Sequence, residues 1–142
     1  MSLATGLVHL FPPKHHVRAI RILDDVLSVD PDNVHALMGR GYVFEAARKW
    51  NDAAELFLRV VNQLPEDLDV GLVAKEEYAW CLAEKEDCEL DAALAELKTV
   101  LDQLGPLDGY EERKARLWWR LGQCFWRRGG KNVIGSLRKA TI

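Results

Sequence analysis

Tryptophan, arginine and glutamine recur near the C-terminal end of this 142-residue chain at spacings that suit binding. Trp119, Gln123 and Trp126 are four and three residues apart, which places their side chains on one side of a helix. Arg116, three residues before Trp119, and Arg127, directly after Trp126, are predicted to line the same surface as this row. Tryptophan and arginine are the side chains that most often anchor protein–protein contacts. The row predicts a binding surface, although Trp119 and Trp126 could instead pack against a further helix pair outside this chain.

The same region also permits contact with single-stranded RNA. Residues 113–142 contain nine Lys or Arg and no Asp or Glu, so they could neutralise phosphates while tryptophans stack on bases. The remaining residues carry ten basic and 22 acidic side chains, and no RNA-binding motif is present. A solvated basic face, or one matched to an acidic neighbour, is therefore the favoured interpretation. The residues that would contact RNA are Arg116, Trp119, Arg120, Trp126 and Arg127.

Other groups of polar residues do not form a recognisable metal-binding or catalytic pattern. The pair His15–His16 with Cys81 or Cys88 does not supply four zinc ligands at a recognisable spacing. The acidic pairs Asp24–Asp25 and Glu76–Glu77 are adjacent, hence on different helix faces, and are predicted to be solvated. No phosphate-binding glycine loop and no nucleophile motif occurs. The sequence thus predicts a protein that is not an enzyme and that needs no cofactor or metal.

Composition indicates a folded protein that does not span a membrane. Hydrophobic residues make up 49% and charged residues 29%, which excludes a disordered chain. No apolar run approaches the roughly 20 residues needed to cross a bilayer, and no secretory signal is visible. The three cysteines are odd in number and form no C-x-x-C pair, so they are predicted to be buried thiols. We expect a cytoplasmic protein, with the nucleus left open.

Small residues and prolines recur with a period of 34. Pro31 and Pro65 are 34 residues apart, and so are Ala19 and Ala53. Between the prolines lie two amphipathic segments with bulky, small and aromatic positions in a fixed order, which predicts a pair of antiparallel helices. Gly41 costs an isolated helix about 1 kcal/mol relative to alanine, so it should lie where two helix backbones approach closely. The repeat positions are Leu37, Gly41 and Phe44 in the first helix and Ala53, Phe57 and Val60 in the second.

Further helices are predicted on both sides of this pair. They cover about 14–29, 70–83, 90–104 and 110–128. The next small residue in register, Ala93, follows Ala53 by 40 residues, so insertions are expected at 66–69 and 84–89. Gly105-Pro106 should end one helix, as should Gly129-Gly130. Residues 1–13 are expected to cover the first helix, and residues 131–142 to form an atypical tail or a truncated repeat beyond the repeat segment 1–130.

The helix from about residue 110 carries the motif Trp118-x-x-Leu121-Gly122-x-x-Phe125. Together with the 34-residue period, this motif resembles the W-x-x-L-G-x-x-Y pattern of tetratricopeptide repeats, with Phe in place of Tyr. The resemblance implies an all-α solenoid of helix pairs, with three to four repeats, that holds proteins together. It also implies that Trp118, Leu121 and Phe125 are core residues. Replacing a buried Trp118 with alanine should then cost about 3–5 kcal/mol.

Within that family, four segments resemble the large scaffold subunits of superkiller complexes. These segments are residues 19–27, 36–42, 74–82 and 117–126. The resemblance implies a cytoplasmic assembly with an RNA helicase and WD-repeat subunits that delivers RNA to the exosome for 3′-to-5′ decay. A generic adaptor of the same repeat family is the alternative. The concave positions of the first helices, expected to contact other proteins, are Met38, Tyr42, Arg116, Trp119, Gln123, Trp126 and Arg127.

Overall fold

The computed structural model describes the backbone of residues 16–141 and the side chains of residues 17–129. That part of the chain is all α-helical, as predicted, and contains no strand. The expectations for residues 1–13, for the pair His15–His16 and for the side chains of 131–142 lie outside the described residues. The helices are α1 (His16–Val29), α2 (Val34–Ala46), α3 (Trp50–Gln63), α4 (Val70–Glu84), α5 (Leu90–Leu104) and α6 (Glu111–Thr141).

Helix boundaries follow local signals in the sequence. The Asn33 side chain caps α2, because its Oδ1 accepts a hydrogen bond from the Ala36 N–H at 2.9 Å. α5 ends at Leu104, immediately before Gly105-Pro106. The connections before and after α4 contain the predicted insertion sites. No helix in the described part combines the length and the apolar composition needed to cross a membrane.

The α2–α3 pair has the close packing that Gly41 predicts. A Cβ atom added at Gly41 would lie 2.7 Å from Cε1 of Phe57, closer than real Cβ contacts allow. Ala53 and Phe57 are both 0% exposed, and the Phe57 ring meets Tyr42 edge-on with the centroids 5.5 Å apart. The missing side chain of Gly41 is therefore what allows an aromatic ring of α3 to sit against α2.

Each helix packs against the next one along the chain, and α4 also contacts α6. α4 consequently lies among α3, α5 and α6, and its buried residues surround the helix instead of forming one stripe. Most repeat positions of the second helices are buried, namely Ala19, Leu23, Ala53, Phe57, Val60, Ala93, Leu97 and Val100. Val26 in α1, which has the spacing of Val60 and Val100, is half-buried, as is Phe44 in α2.

The prediction that Gly129-Gly130 ends the last helix is wrong, because α6 continues without a break to Thr141. Each glycine weakens a helix by about 1 kcal/mol but does not by itself stop it. No proline occurs after Pro106 to force a stop. Residues 130–141 therefore extend α6 and do not turn back along it as α3 turns back along α2.

Replacing Gly41 and Gly122, which occupy equivalent motif positions, with leucine should change the free energy of unfolding in opposite directions. Gly41→Leu should lower the free energy of unfolding by about 1–3 kcal/mol, because the new side chain overlaps the Phe57 ring. Gly122→Leu should raise it by about 0.5–1 kcal/mol, since nothing described lies within 4 Å of a Cβ there and leucine favours helix. Urea denaturation of the two variants measures both. Equal stabilities would contradict the packing described for Gly41.

Candidate protein-binding surface

α6 buries a different face from the one that its motif predicts. Leu117, Leu121 and Cys124 are at most 2% exposed and pack with the core residues of α4 and α5. Trp118 and Phe125, predicted to be core, are 60% and 43% exposed, so that prediction is wrong. Leu121 alone among the three apolar motif positions is buried as expected.

The reason is the absence of a covering helix among the described residues. In α2 the equivalent positions Leu37 and Gly41 are covered by α3. A Cβ at Gly122 would meet nothing in the described part of the chain, because α6 runs straight on to Thr141. Trp118, Gly122 and Phe125 therefore face outward, whereas Leu121 stays buried. We call this surface, formed by Trp118, Gly122 and Phe125, the hairpin face.

Two adjacent acidic residues of α4 are buried beneath α6, contrary to the prediction that they are solvated. Glu76 is 3% and Glu77 2% exposed. Arg120 Nη1 donates hydrogen bonds to Oε2 of Glu76 at 2.7 Å and to Oε1 of Glu77 at 3.1 Å. Arg116 Nε donates to the same Glu76 oxygen at 3.1 Å. Two adjacent helix residues can both be buried in α4, because other helices pack on most of its sides.

Glu45 of α2 joins this buried cluster from a third helix. Burial, a hydrogen bond with Glu77 and the charge of Glu77 together raise the pKa of Glu45 to about 9. Burial also acts to raise the pKa of Glu77, but the hydrogen bonds from Glu45 and Arg120 and the positive charges of Arg120 and Arg116 outweigh it and lower that pKa. At neutral pH, Glu45 is therefore the protonated partner and Glu77 the charged one.

This protonation makes stability fall as pH rises. Between an ordinary carboxyl pKa of 4.5 and about 9, the folded chain holds a proton on Glu45 that the unfolded chain releases. The free energy of unfolding should decrease across that window, by at most about 1.4 kcal/mol per pH unit for this group. Glu45→Gln mimics the protonated form and should flatten the decline. Urea denaturation from pH 5 to 9 measures it, and an equal decline in both proteins would exclude Glu45 as the cause.

Trp80 of α4 connects the buried cluster to the exposed row on α6. Its ring contacts Trp119, with the centroids 5.8 Å apart, and the Arg120 and Arg127 guanidinium carbons lie 5.2 and 5.4 Å from it. Arg127 also forms an ion pair with Glu84. These contacts of Trp80 with Trp119, Arg120 and Arg127 attach this side of α6 to α4. We call the row Arg116, Trp119, Gln123, Trp126 and Arg127 the tryptophan stripe.

The five stripe residues lie together on α6, and Trp119 and Trp126 are 58% and 74% exposed. The two positions predicted from α2 lie elsewhere. Met38 is buried in the core with 6% exposure, and Tyr42 is half-buried against Phe57. Burial and the nearby Glu77 and Glu45 raise the pKa of Tyr42, so it stays neutral. The accessible part of the predicted surface is thus on α6 alone.

Residues 17–67 match the family model described as tetratricopeptide repeat. This segment covers α1, α2 and α3, including the Gly41–Phe57 contact. The helix order and the packing of consecutive helices agree with that match. The chain is a tetratricopeptide repeat protein. In this family's terms α2 and α3 form one complete repeat, α4 and α5 form the next, and α6 is the first helix of another.

Three curated relatives are similar to this chain in sequence. Superkiller protein 3 of Saccharomyces cerevisiae is 33% identical over 120 residues, which is 83% of this chain and 8% of the relative. Superkiller protein 3 of Schizosaccharomyces pombe is 26% identical over 147 residues, 98% of this chain and 10% of the relative. RNA polymerase-associated protein CTR9 of Caenorhabditis elegans is 34% identical over 74 residues, 49% of this chain and 6% of the relative. The chain spans about a tenth or less of the length of these relatives.

Most of the basic residues of α6 whose side chains the structure describes are matched by acidic residues of the same chain. Arg116 and Arg120 pair with Glu76, Arg127 with Glu84, and Arg128 with Asp91 at 3.0 Å. Lys114 pairs with Glu111 at 3.7 Å. An arginine already held by a carboxylate is less available to a phosphate, so these pairs weaken the case for an RNA surface. The acidic side chains that match the arginines of α6 thus come from α4 and α5 of this chain, and not from a neighbouring subunit.

The remaining chemistry-bearing residues have structural surroundings. Cys81 and Cys124 are buried, Cys88 is half-buried, and no disulfide joins cysteines in the described part of the chain. Burial raises the pKa of both the Cys81 and the Cys124 thiols, which keeps them in the protonated, unreactive form. Among residues with described side chains, no three His, Cys, Asp or Glu converge on a common point that could hold a metal ion.

Proposed function

We propose that this chain is a non-catalytic protein-interaction scaffold whose contacts are made by the exposed aromatic side chains of α6. The observation that carries the proposal is their concentration. Trp118, Trp119, Phe125 and Trp126 are all exposed on this one helix, whereas the exposed large hydrophobic residues of the other described segments are single aliphatic side chains. Clustered exposed aromatic side chains are typical of a surface that another molecule covers.

The partner we propose belongs to a superkiller-type assembly. The support is the sequence similarity to Superkiller protein 3 of two organisms. The two proteins are 33% and 26% identical to this chain, over 83% and 98% of its length. In such an assembly, the chain would contribute part of the large repeat subunit and contact an RNA helicase or a WD-repeat subunit. Its cellular role would be cytoplasmic, in support of exosome-mediated 3′-to-5′ decay of mRNA. A generic adaptor role would use the same surface with a different partner.

The test is whether the folded 142-residue chain binds the purified helicase and WD-repeat subunits of the organism that encodes the chain. Calorimetry should detect binding of one of these subunits, and Trp126→Ala should weaken that binding about tenfold or more, because Trp126 is the most exposed tryptophan of the tryptophan stripe, at 74%. Val29→Ala, 86% exposed at the other end of the chain, is the matched control and should bind normally.

Absence of binding to either subunit by a folded chain would count against the superkiller assignment. The RNA alternative predicts affinity for a single-stranded oligonucleotide that falls steeply as salt increases. If such binding appeared and was lost in Trp126→Ala, the tryptophan stripe would have to be reassigned from protein to RNA.

A further inference from the structure

Two cysteines lie at the contact between α6 and the α4–α5 connection, residues 85–89. Cys124 is buried in the face of α6 that packs on α4 and α5, and Cys88 is half-buried in the connection. They share one region of the core, because Cys88 packs against the hydrophobic cluster that contains Cys124. Cys81, also on α4, is fully buried in a different cluster, which α4 forms with α2 and α3.

Ion pairs hold both ends of the α4–α5 connection against α6. Arg127 pairs with Glu84, the last residue of α4. Arg128 pairs with Asp91, in the first turn of α5, at 3.0 Å. Cys124 precedes these two arginines by three and four residues, so it lies one turn earlier on the same side of the helix. The connection is therefore held next to the turn of α6 that carries Cys124.

The connection itself is folded back onto α4. The Glu89 N–H donates a hydrogen bond to the Leu82 carbonyl at 2.9 Å, and Lys85 pairs with the Glu89 carboxylate at 3.3 Å. These contacts keep Cys88, the residue before Glu89, at the edge of the core. Burial raises the pKa of the Cys124 thiol, and Cys88 adds to that rise. Because an electrostatic effect of this kind falls with distance, the two thiols lie near each other.

We propose that Cys88 and Cys124 form an oxidation site, at which a hydroperoxide converts the two thiols into a disulfide that joins the α4–α5 connection to α6. With hydrogen peroxide, the Cys88 sulfur loses its proton and attacks one peroxide oxygen. The O–O bond breaks, Cys88 becomes a sulfenic acid, and the other oxygen leaves as water. The Cys124 sulfur then attacks the sulfenic sulfur, and its proton leaves with the hydroxyl group as a second water. The two thiols lose two electrons, and one peroxide is reduced to two waters.

The order of the two steps follows from burial. Cys124 is 0% exposed and burial keeps its thiol protonated, so a dissolved oxidant reaches Cys88 first. The sulfenic acid then lies beside a second thiol that the fold holds in place, which favours the intramolecular step. Cys81 is also 0% exposed and lies in the other cluster, so it should remain a thiol. The oxidation site involves no residue of the tryptophan stripe and does not depend on the proposed function.

The experiment treats the reduced 142-residue chain, at micromolar concentration, with a small excess of hydrogen peroxide. The remaining thiols are alkylated after unfolding, and trypsin separates the three cysteines into peptides 76–85, 86–98 and 121–127. Mass spectrometry should find the second and third peptides joined and the first alkylated at Cys81. The bond links residues 124 − 88 = 36 positions apart, so the unfolding temperature should rise by about 5 °C or more and return to its original value with dithiothreitol.

Single variants make the outcome decisive. Cys88→Ser should prevent both the crosslink and the rise in unfolding temperature, whereas Cys81→Ala, the matched control, should leave both intact. Cys124→Ala should leave Cys88 as a sulfenic acid that dimedone labels. The inference is overturned if all three thiols remain open to alkylation, or if Cys88 joins Cys81 or another copy of the chain. A crosslink that lowers the unfolding temperature would also overturn it, because such a bond would distort the fold described here.

Discussion

Arg120→Ala should lower the free energy of unfolding by about 3–5 kcal/mol. Arg120 donates hydrogen bonds to Glu76 at 2.7 Å and Glu77 at 3.1 Å, and both carboxylates are at most 3% exposed. Removing the guanidinium leaves two adjacent carboxylates buried, with only Arg116 remaining beside Glu76. The change also removes one of the two guanidinium groups that lie near the Trp80 ring, leaving Arg127. Urea denaturation at pH 7 measures the loss.

Arg128→Ala is the matched control on the same helix. Arg128 pairs with Asp91 at 3.0 Å, but Asp91 is 87% exposed, and such pairs contribute about 0–1 kcal/mol. A second comparison separates loss of charge balance from loss of packing. The triple variant Glu76→Gln, Glu77→Gln, Arg120→Met buries no charge at these positions and should recover most of the stability. Equal effects of Arg120→Ala and Arg128→Ala would show that the buried cluster does not hold α4 against α6.

The sequence predicted the repeat register because that register depends on local, periodic features. Gly41 and Ala53 are small where two backbones meet, and Asn33 can cap only the helix that follows it. The ends of α5, at Leu90 and Leu104, were predicted to the residue for the same reason. Such features involve residues that are close together in the chain, so they can be recognised in a single sequence.

The buried charges were missed because their burial depends on helices distant in sequence. Glu76 and Glu77 meet Arg120 across more than 40 positions of chain. A signal was nevertheless present, since α4 has apolar residues on all sides and is therefore central in the fold. Acidic residues in such a helix need basic partners, and the excess of arginine after residue 113 supplies them.

The exposure of Trp118 was missed for a different reason. The motif identifies the face of a first helix that packs against the second helix of the same repeat. The motif does not specify whether the chain turns back to form that second helix. In the described part of this chain, α6 continues to Thr141 instead. A motif can thus identify the family correctly while misplacing the same residues between core and surface.

Phe57→Ala and Trp118→Ala should therefore differ widely in stability, although both remove an aromatic ring at a repeat position. Phe57 is 0% exposed and touches both Gly41 and Tyr42, so its loss leaves a cavity between α2 and α3 and should cost about 3–5 kcal/mol. Trp118 is 60% exposed, and its replacement should change stability by less than about 0.5 kcal/mol. Thermal and urea denaturation of both variants measure the difference.

A large cost for Trp118→Ala would mean that the motif face of α6 is covered in solution, as the repeat pattern alone predicts, and that the hairpin face is not available to another protein. A small cost for Phe57→Ala would mean that α2 and α3 do not form the close pair seen around Gly41. Because the two residues lie in separate parts of the chain with no shared contacts, their effects should add in the double variant within about 0.5 kcal/mol. A larger deviation would show that α6 and the α2–α3 pair unfold as a more tightly coupled unit than their contacts indicate.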